Sequence, residues 1–294
     1  SRGMDAPTAA LDKQENIKQS RSEKNLKQRL ITGFTFSMIA LVCIYVSKYT
    51  FFALELVLSY MMLHEMNTIF NATLGEKIVS TVLYVIEQIM VIYDVQLTLQ
   101  MFPVIAFLGL SVYSLKTHDI VKGAQLFFAL FWSVHLLIHG MGIIELTGQT
   151  FSVLYITFLA CTNDGFQYAF GRAFGKHRPL TYISPNKSIE GYIGGFVVIL
   201  IIGILAEDNI FFTLMIYFVG NAGDLIASCL KRQLNFKDFG SVLPGMGGMF
   251  DRLDSITVSL ACTYYWYNAF GYHPGTIIRC ILHYIFFTAD ECPI

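Results

Sequence analysis

The stretch "NIFFTLMIYFVGNAGDLIASCLKRQLNFKDFGSVLPGMGGMFDRLDS", residues 209–255, changes character at Lys231. Residues 209–230 form an apolar run about as long as the roughly 20 residues a helix needs to cross a bilayer. Residues 231–254 then crowd Lys, Arg, Asp and Gly together before a second apolar run opens at Ser255. A connector between two membrane helices accounts for the polarity of 231–254, but not for the order of its residues.

The same alternation extends outward over the whole chain. Of its 294 residues 54% are apolar and 14% charged, with a mean hydropathy of +0.54. Soluble domains carry roughly 25% charged residues, so much of this surface is expected to face lipid. Apolar runs fall near 30–47, 51–63, 78–93, 97–115, 123–140, 150–171, 189–206, 209–230 and 255–286. They predict an all-α polytopic membrane bundle of about nine transmembrane helices. Residues 1–29 are polar, lack the apolar core of a signal peptide and end in a basic segment. They read as a tail leading into a short interfacial helix. The remainder divides into an N-terminal transmembrane region, 30–145, and a C-terminal one, 146–294. The net charge of −1 gives no field for nucleic acid. Six cysteines lie mostly inside apolar runs without a CxxC pair, as small buried hydrophobes do.

Assigning the polar connectors alternately to two sides puts 18 of the 20 Lys and Arg on the side of the N-terminus. With Arg2 and Lys13 set aside as too distant, the ratio is still 16 to 2. By the positive-inside rule that side is the cytoplasm or its organellar equivalent. It receives both large polar loops, 172–188 and 231–254.

Candidate chemistry gathers in those two loops and the runs that lead into them. Asp224, Ser228 and Lys231 are spaced to share a helix face. An aspartate deep in an apolar run is costly in lipid and is a functional candidate. Gly245, Gly247 and Gly248 form a "PGMGG" segment whose backbone amides could approach an anion, although a plain turn would use the same residues. Asp251 and Asp254 follow at i, i+3, where their charges repel unless a cation lies between them. With Asp224 they make an oxygen-only set suited to Mg²⁺. A helix N-terminal carboxylate favoured by the macrodipole is the other reading of Asp251. Upstream, Asn163 and Asp164 interrupt a membrane run. Arg172, Lys176, His177, Arg178 and Lys187 come after them, either as a clamp for a polyphosphate or as an ordinary positive-inside loop. His177 reads as isolated and solvated.

The segments "SPNKSIEG" (184–191) and "SCLKRQLNFKDFGSVLPGMGGMFDRLDS" (228–255) carry a resemblance. The first resembles the S-P-K-K-T-x-E-G element of the CDP-diacylglycerol synthases, or phosphatidate cytidylyltransferases. The second resembles that family's long signature at Ser228, Lys231, Arg232, Lys237, Asp238, Pro244, Gly245, Gly247, Gly248, Asp251, Arg252 and Asp254. The clear likeness covers about residues 160–260. Upstream of it only Glu65, in "LHEMNTI", and the hydropathy agree. The resemblance implies an integral membrane enzyme making CDP-diacylglycerol and pyrophosphate from CTP and phosphatidic acid among membrane lipids. It implies Mg²⁺ held by Asp224, Asp251 and Asp254, K⁺ as a second cation, and a homodimer. Lys231, Arg232, Lys237, Asp238 and Arg252 would be catalytic, with the cations neutralising the triphosphate. Ser184, Lys187, Asn163, Asp164, Ser228, Gly245, Gly247 and Gly248 would hold substrate.

Met246 departs from the pattern, which has histidine there. It leaves open a non-catalytic relative that keeps the fold. A CTP-dependent polyprenol or phytol kinase would use related loops but release CDP. A transporter would scatter polar residues over many spans in two matched halves, whereas here they cluster on one side of the C-terminal half.

Overall fold

Local capping explains where the chain bends. In the computed structural model, which describes residues 31–243 and 245–271, α1 (Ile31–Val46) and α2 (Lys48–Ile69) are separated by the extended Ser47. Its side chain accepts a hydrogen bond from the Tyr49 amide. Thr73 and Glu76 form a capping box that starts α3 (Leu74–Tyr93). Asp94 caps α4 (Val95–Thr117), and Asp119 caps α5 (Ile120–Thr147). After α6 (Phe151–Phe174), Ser188 caps α7 (Ile189–Leu205) and Asn209 caps α8 (Ile210–Gln233). The last described helix, α9 (Phe250–Phe270), has no side-chain cap of its own at Met249. The tail and interfacial helix expected over 1–29, Pro244, and the end of the run 255–286 lie outside the described residues.

Among the described residues there are nine helices and no strand of a sheet, and each helix falls on one of the expected apolar runs. Three of them, α4, α5 and α8, are long and apolar enough to cross a membrane by those criteria alone. The runs 51–63 and 78–93 extend into their flanks to become α2 and α3, taking in Glu65 and Glu76. The chain is an all-α membrane helix bundle. Large apolar side chains such as Leu97, Val104, Phe107, Leu108 and Val112 of α4 are exposed, as they would be against lipid.

Since lipid tails are as apolar as leucine, close packing rather than hydrophobic expulsion joins such helices. α9 is the central element, packed on α2, α5, α6 and α8, so both halves of the chain meet on it. Gly223 sets the approach of α8. A Cβ there would stand 2.7 Å from the Asp254 carbonyl oxygen, so only glycine lets these two backbones touch. That contact brings Asp224, the next residue, beside the first turns of α9. In α5 a π-helical segment, Phe131–His135, widens the turn and presents His135 to α3.

Candidate active site

Two loops and four helix ends build the polar region. The loop 175–188 between α6 and α7 is fastened to the end of α8 by the Arg232 Nε–H, which donates to the Ile183 carbonyl at 3.1 Å. Ser184 sits in the turn that presents Lys187: its carbonyl accepts from the Lys187 amide at 3.2 Å. Lys187 then reaches across to α8, and its ammonium forms an ion pair with Asp224. Burial by itself would weaken that charge. The Asp224 carboxylate more than offsets it and holds the Lys187 pKa above the ordinary lysine value of 10.5. The ammonium also lies 5.3 Å from the ring centre of Tyr192.

The second loop is folded on itself. Gly245 and Gly247 have φ of 77° and 93°, which side-chain-bearing residues rarely adopt. The Met246 amide donates to the Leu243 carbonyl, and the Leu243 amide to that of Gly247. Arg252, exposed on the first turn of α9, folds back so that its guanidinium donates to the Met246 carbonyl. The Gly248 amide donates to Asp251 at 3.1 Å, and those of Met249 and Phe250 donate to Glu65. Of the three glycines expected to form a nest, Gly248 thus commits its amide to an acceptor within the protein. Lys237 and Asp238 are exposed on the rim of this loop, and Ser228 is buried on α8.

The aspartates separate into two kinds. Asp251 is saturated: one oxygen receives the Lys231 ammonium at 2.6 Å, and the other the amides of Phe239 and Gly248. Asp164, Asp224 and Asp254 instead converge from α6, α8 and α9, within electrostatic reach of one another. Ser255 links two of them. Its hydroxyl donates to Asp164 at 3.0 Å while its amide donates to Asp254 at 2.8 Å. Asp254 is only 4% exposed. Asp164 keeps a buried oxygen, Oδ1, without a hydrogen-bond partner. Among the described residues neither Asp164 nor Asp254 has a salt-bridge partner, and no three acidic, His or Cys groups are already closed around an ion-sized point.

Asn163 lies one residue from Asp164 but faces elsewhere. It is buried and accepts from Gln167, which also donates to Asn221, so it belongs to an amide ladder between α6 and α8. His177 is not merely solvated: its Nδ1 lies 2.6 Å from Glu190 at the start of α7. Ser255 and Glu65 carry more of the geometry than their sequence context advertised. Ser255 had one available signal, its place directly after Asp254.

Residues 27–270 match the profile of the Cytidylyltransferase family. Over 113 aligned residues, 35% of this chain, it is 41% identical to the phosphatidate cytidylyltransferase of Staphylococcus haemolyticus. It is 39% identical over the same length to the protein so named in Staphylococcus aureus. The alignments span 44% of each of those relatives, less than half their length. With a match covering most of its residues, the chain belongs to the cytidylyltransferase family.

Proposed function

We propose that the protein transfers the cytidylyl group of CTP to phosphatidate at this membrane-interface site, releasing pyrophosphate. The observation that carries this reading is the meeting of Asp164, Asp224 and Asp254 from three helices. They lie beside Lys187, and the Lys231–Asp251 pair borders them on the same turn of α9. Carboxylates forced together in a low-dielectric place imply a cation among them, and the lysines suit a substrate rich in phosphate.

In the proposed reaction an oxygen of the phosphatidate phosphate attacks the α-phosphorus of CTP. A new P–O bond forms as the bond from that phosphorus to the bridging β-phosphate oxygen breaks, and pyrophosphate departs with its electron pair. The attacking phosphate is already anionic, so no general base is required. The protein's part is positioning and charge neutralisation. Among the cations of these two loops and the helix ends beside them, Lys187, Lys231, Arg232, Lys237 and Arg252 would offset the triphosphate and the leaving group. The acyl tails of phosphatidate would stay in the bilayer against the exposed apolar faces of the bundle.

A divalent cation fits the residues present, because the donors are all oxygen and Asp164 has an oxygen buried without a partner. Asp164, Asp224 and Asp254 would hold it. Asp251, saturated by Lys231 and two amides, would instead frame the site. When bound, Mg²⁺ would withdraw charge from the phosphate oxygens, and K⁺ is a second cation compatible with the same oxygen set. The basic asymmetry of the connectors supports a site on the cytoplasmic or equivalent side.

The test is pyrophosphate release by purified protein in detergent. Release equal to CTP consumed, requiring both phosphatidate and Mg²⁺, is the expected result. CDP in place of pyrophosphate would identify a lipid kinase, and no consumption of CTP would favour a non-catalytic relative.

A further inference from the structure

The first turn of α9 presents Asp251, Arg252 and Asp254, yet the helix begins at Met249 without a local side-chain cap. Its first amides are bound by a residue 184 positions away. Glu65, near the end of α2, accepts from the Met249 amide at 2.9 Å through one oxygen and from the Phe250 amide at 2.9 Å through the other. Glu65 is 3% exposed, so little water reaches these bonds. The positive end of the helix dipole favours the negative charge in that place.

The loop is shaped to accept Glu65. A Cβ on Gly240 would stand 2.4 Å from its Oε1, and a Cβ on Gly248 2.7 Å from its Oε2. Neither glycine has the left-handed φ of Gly245 or Gly247. Their lack of a side chain therefore leaves room for this carboxylate and, at Gly248, equally for the Gly240 amide nitrogen, 2.7 Å from where a Cβ would stand. Two glycines and two amides of the loop, contributed by residues 240–250, close around one side chain from the other half of the chain. The same turn is secured a second time by Asp251, which accepts from Phe239 and Gly248.

We propose that Glu65 is a positioning residue for the reaction: as the remote N-cap of α9, it fixes the register of the first turn and so sets where Arg252 and Asp254 stand relative to the substrate phosphates. The inference rests on the cytidylyl-transfer reading for its catalytic consequence, but not for the clamp itself. Displacement of reacting groups by about 1 Å can cost roughly 100-fold in rate. Loss of the cap is therefore expected to lower kcat while the apolar core and the bulk of CTP binding persist.

The experiment compares wild type, Glu65→Gln and Glu65→Ala in lipid nanodiscs with two readouts. Hydrogen exchange of the peptide covering 245–254 is expected to rise about tenfold or more in Glu65→Ala. A smaller rise is expected in Glu65→Gln, which keeps one acceptor and the side-chain volume, with α4 and α7 unchanged in both. In parallel, kcat for pyrophosphate release should fall by about 100-fold in Glu65→Ala, and less in Glu65→Gln, with the KM for CTP within about threefold. Unchanged exchange in both variants would overturn the clamp. Raised exchange with wild-type kcat would overturn the positioning role while leaving the proposed function intact. A wild type without turnover would remove the function and the catalytic consequence together, and exchange would still decide the clamp. Should Glu65→Ala fail to fold, Glu65→Gln carries both readouts.

Discussion

Two regions of this bundle bury ionisable groups, and they do so in different company. In the C-terminal half, Asp164, Asp224 and Asp254 meet near the loops, where Lys187 and Lys231 supply positive charge. In the N-terminal half, Glu55 of α2, Glu87 and Gln88 of α3, and His135 and His139 of α5 are buried with no lysine or arginine among their described partners. Glu87 meets His135 at 2.8 Å, and Gln88 donates to Glu55 at 3.3 Å. The His135 ring is stacked against Phe102 and Phe131. Burial of ionisable groups alone therefore does not mark chemistry. The first region combines close carboxylates, mobile-length cations and glycine loops at the edge of the bundle. The second joins α2, α3 and α5 through a few polar contacts in an apolar interior, with one atom each of Glu55, Glu87, Gln88 and His139 left without a hydrogen-bond partner.

Variants in each region should separate these roles. The largest effect is expected from Asp251→Ala, which strands the Lys231 ammonium and unpairs two loop amides. Losing one partner of a buried ion pair costs about 3–5 kcal/mol, which would appear as a large drop in unfolding temperature together with lost activity. Asp254→Asn should invert that balance. It removes a charge from a crowded set, so thermal unfolding should stay close to wild type, while kcat falls by about 10²–10³-fold. Equal destabilisation by both changes would erase the distinction between framing and acting aspartates.

Glu87→Gln tests the other region. Weakening its bond to His135 should cost about 1–3 kcal/mol in stability, with kcat for the folded protein within about threefold of wild type. A collapse of kcat without destabilisation would show that the buried Glu–His cluster takes part in the chemistry. The smallest effect is expected from Met246→His. The Met246 sulfur packs toward α1, where a Cβ on Gly33 would lie 3.2 Å from it, and its amide and carbonyl hold the loop. Its side chain acts by packing, so restoring the histidine should change kcat by less than about threefold in a steady-state assay.

Much of the fold was legible because apolar runs are local, whereas the points where helices start are set by caps that hydropathy does not register. Ser47, Thr73, Asp94, Asp119, Ser188 and Asn209 each stand just before a helix. Hydropathy underestimated α2 and α3, since Glu65 and Glu76 stand just outside their apolar runs and yet pack inward. The site was legible as a set of residues, but its internal pairing was not. The i, i+3 spacing of Asp251 and Asp254 makes them neighbours. It does not reveal that Asp251 turns to Lys231 and two amides while Asp254 turns to Asp164 and Asp224. Likewise Asn163 and Asp164 are adjacent, yet successive helical positions point about 100° apart, so one joins an amide ladder and the other the carboxylates. Glu65 reaches α9 across 184 positions, a distance at which no local pattern speaks.

The fate of the α-phosphorus of CTP tests the proposed chemistry most directly. With α-labelled CTP, phosphatidate and Mg²⁺, label should enter the lipid fraction with wild type and Glu87→Gln, and only at about 1% of that rate or less with equally folded Asp254→Asn. Label confined to water while γ-labelled CTP marks the lipid, or equal lipid labelling by Asp254→Asn, would contradict cytidylyl transfer at this cluster.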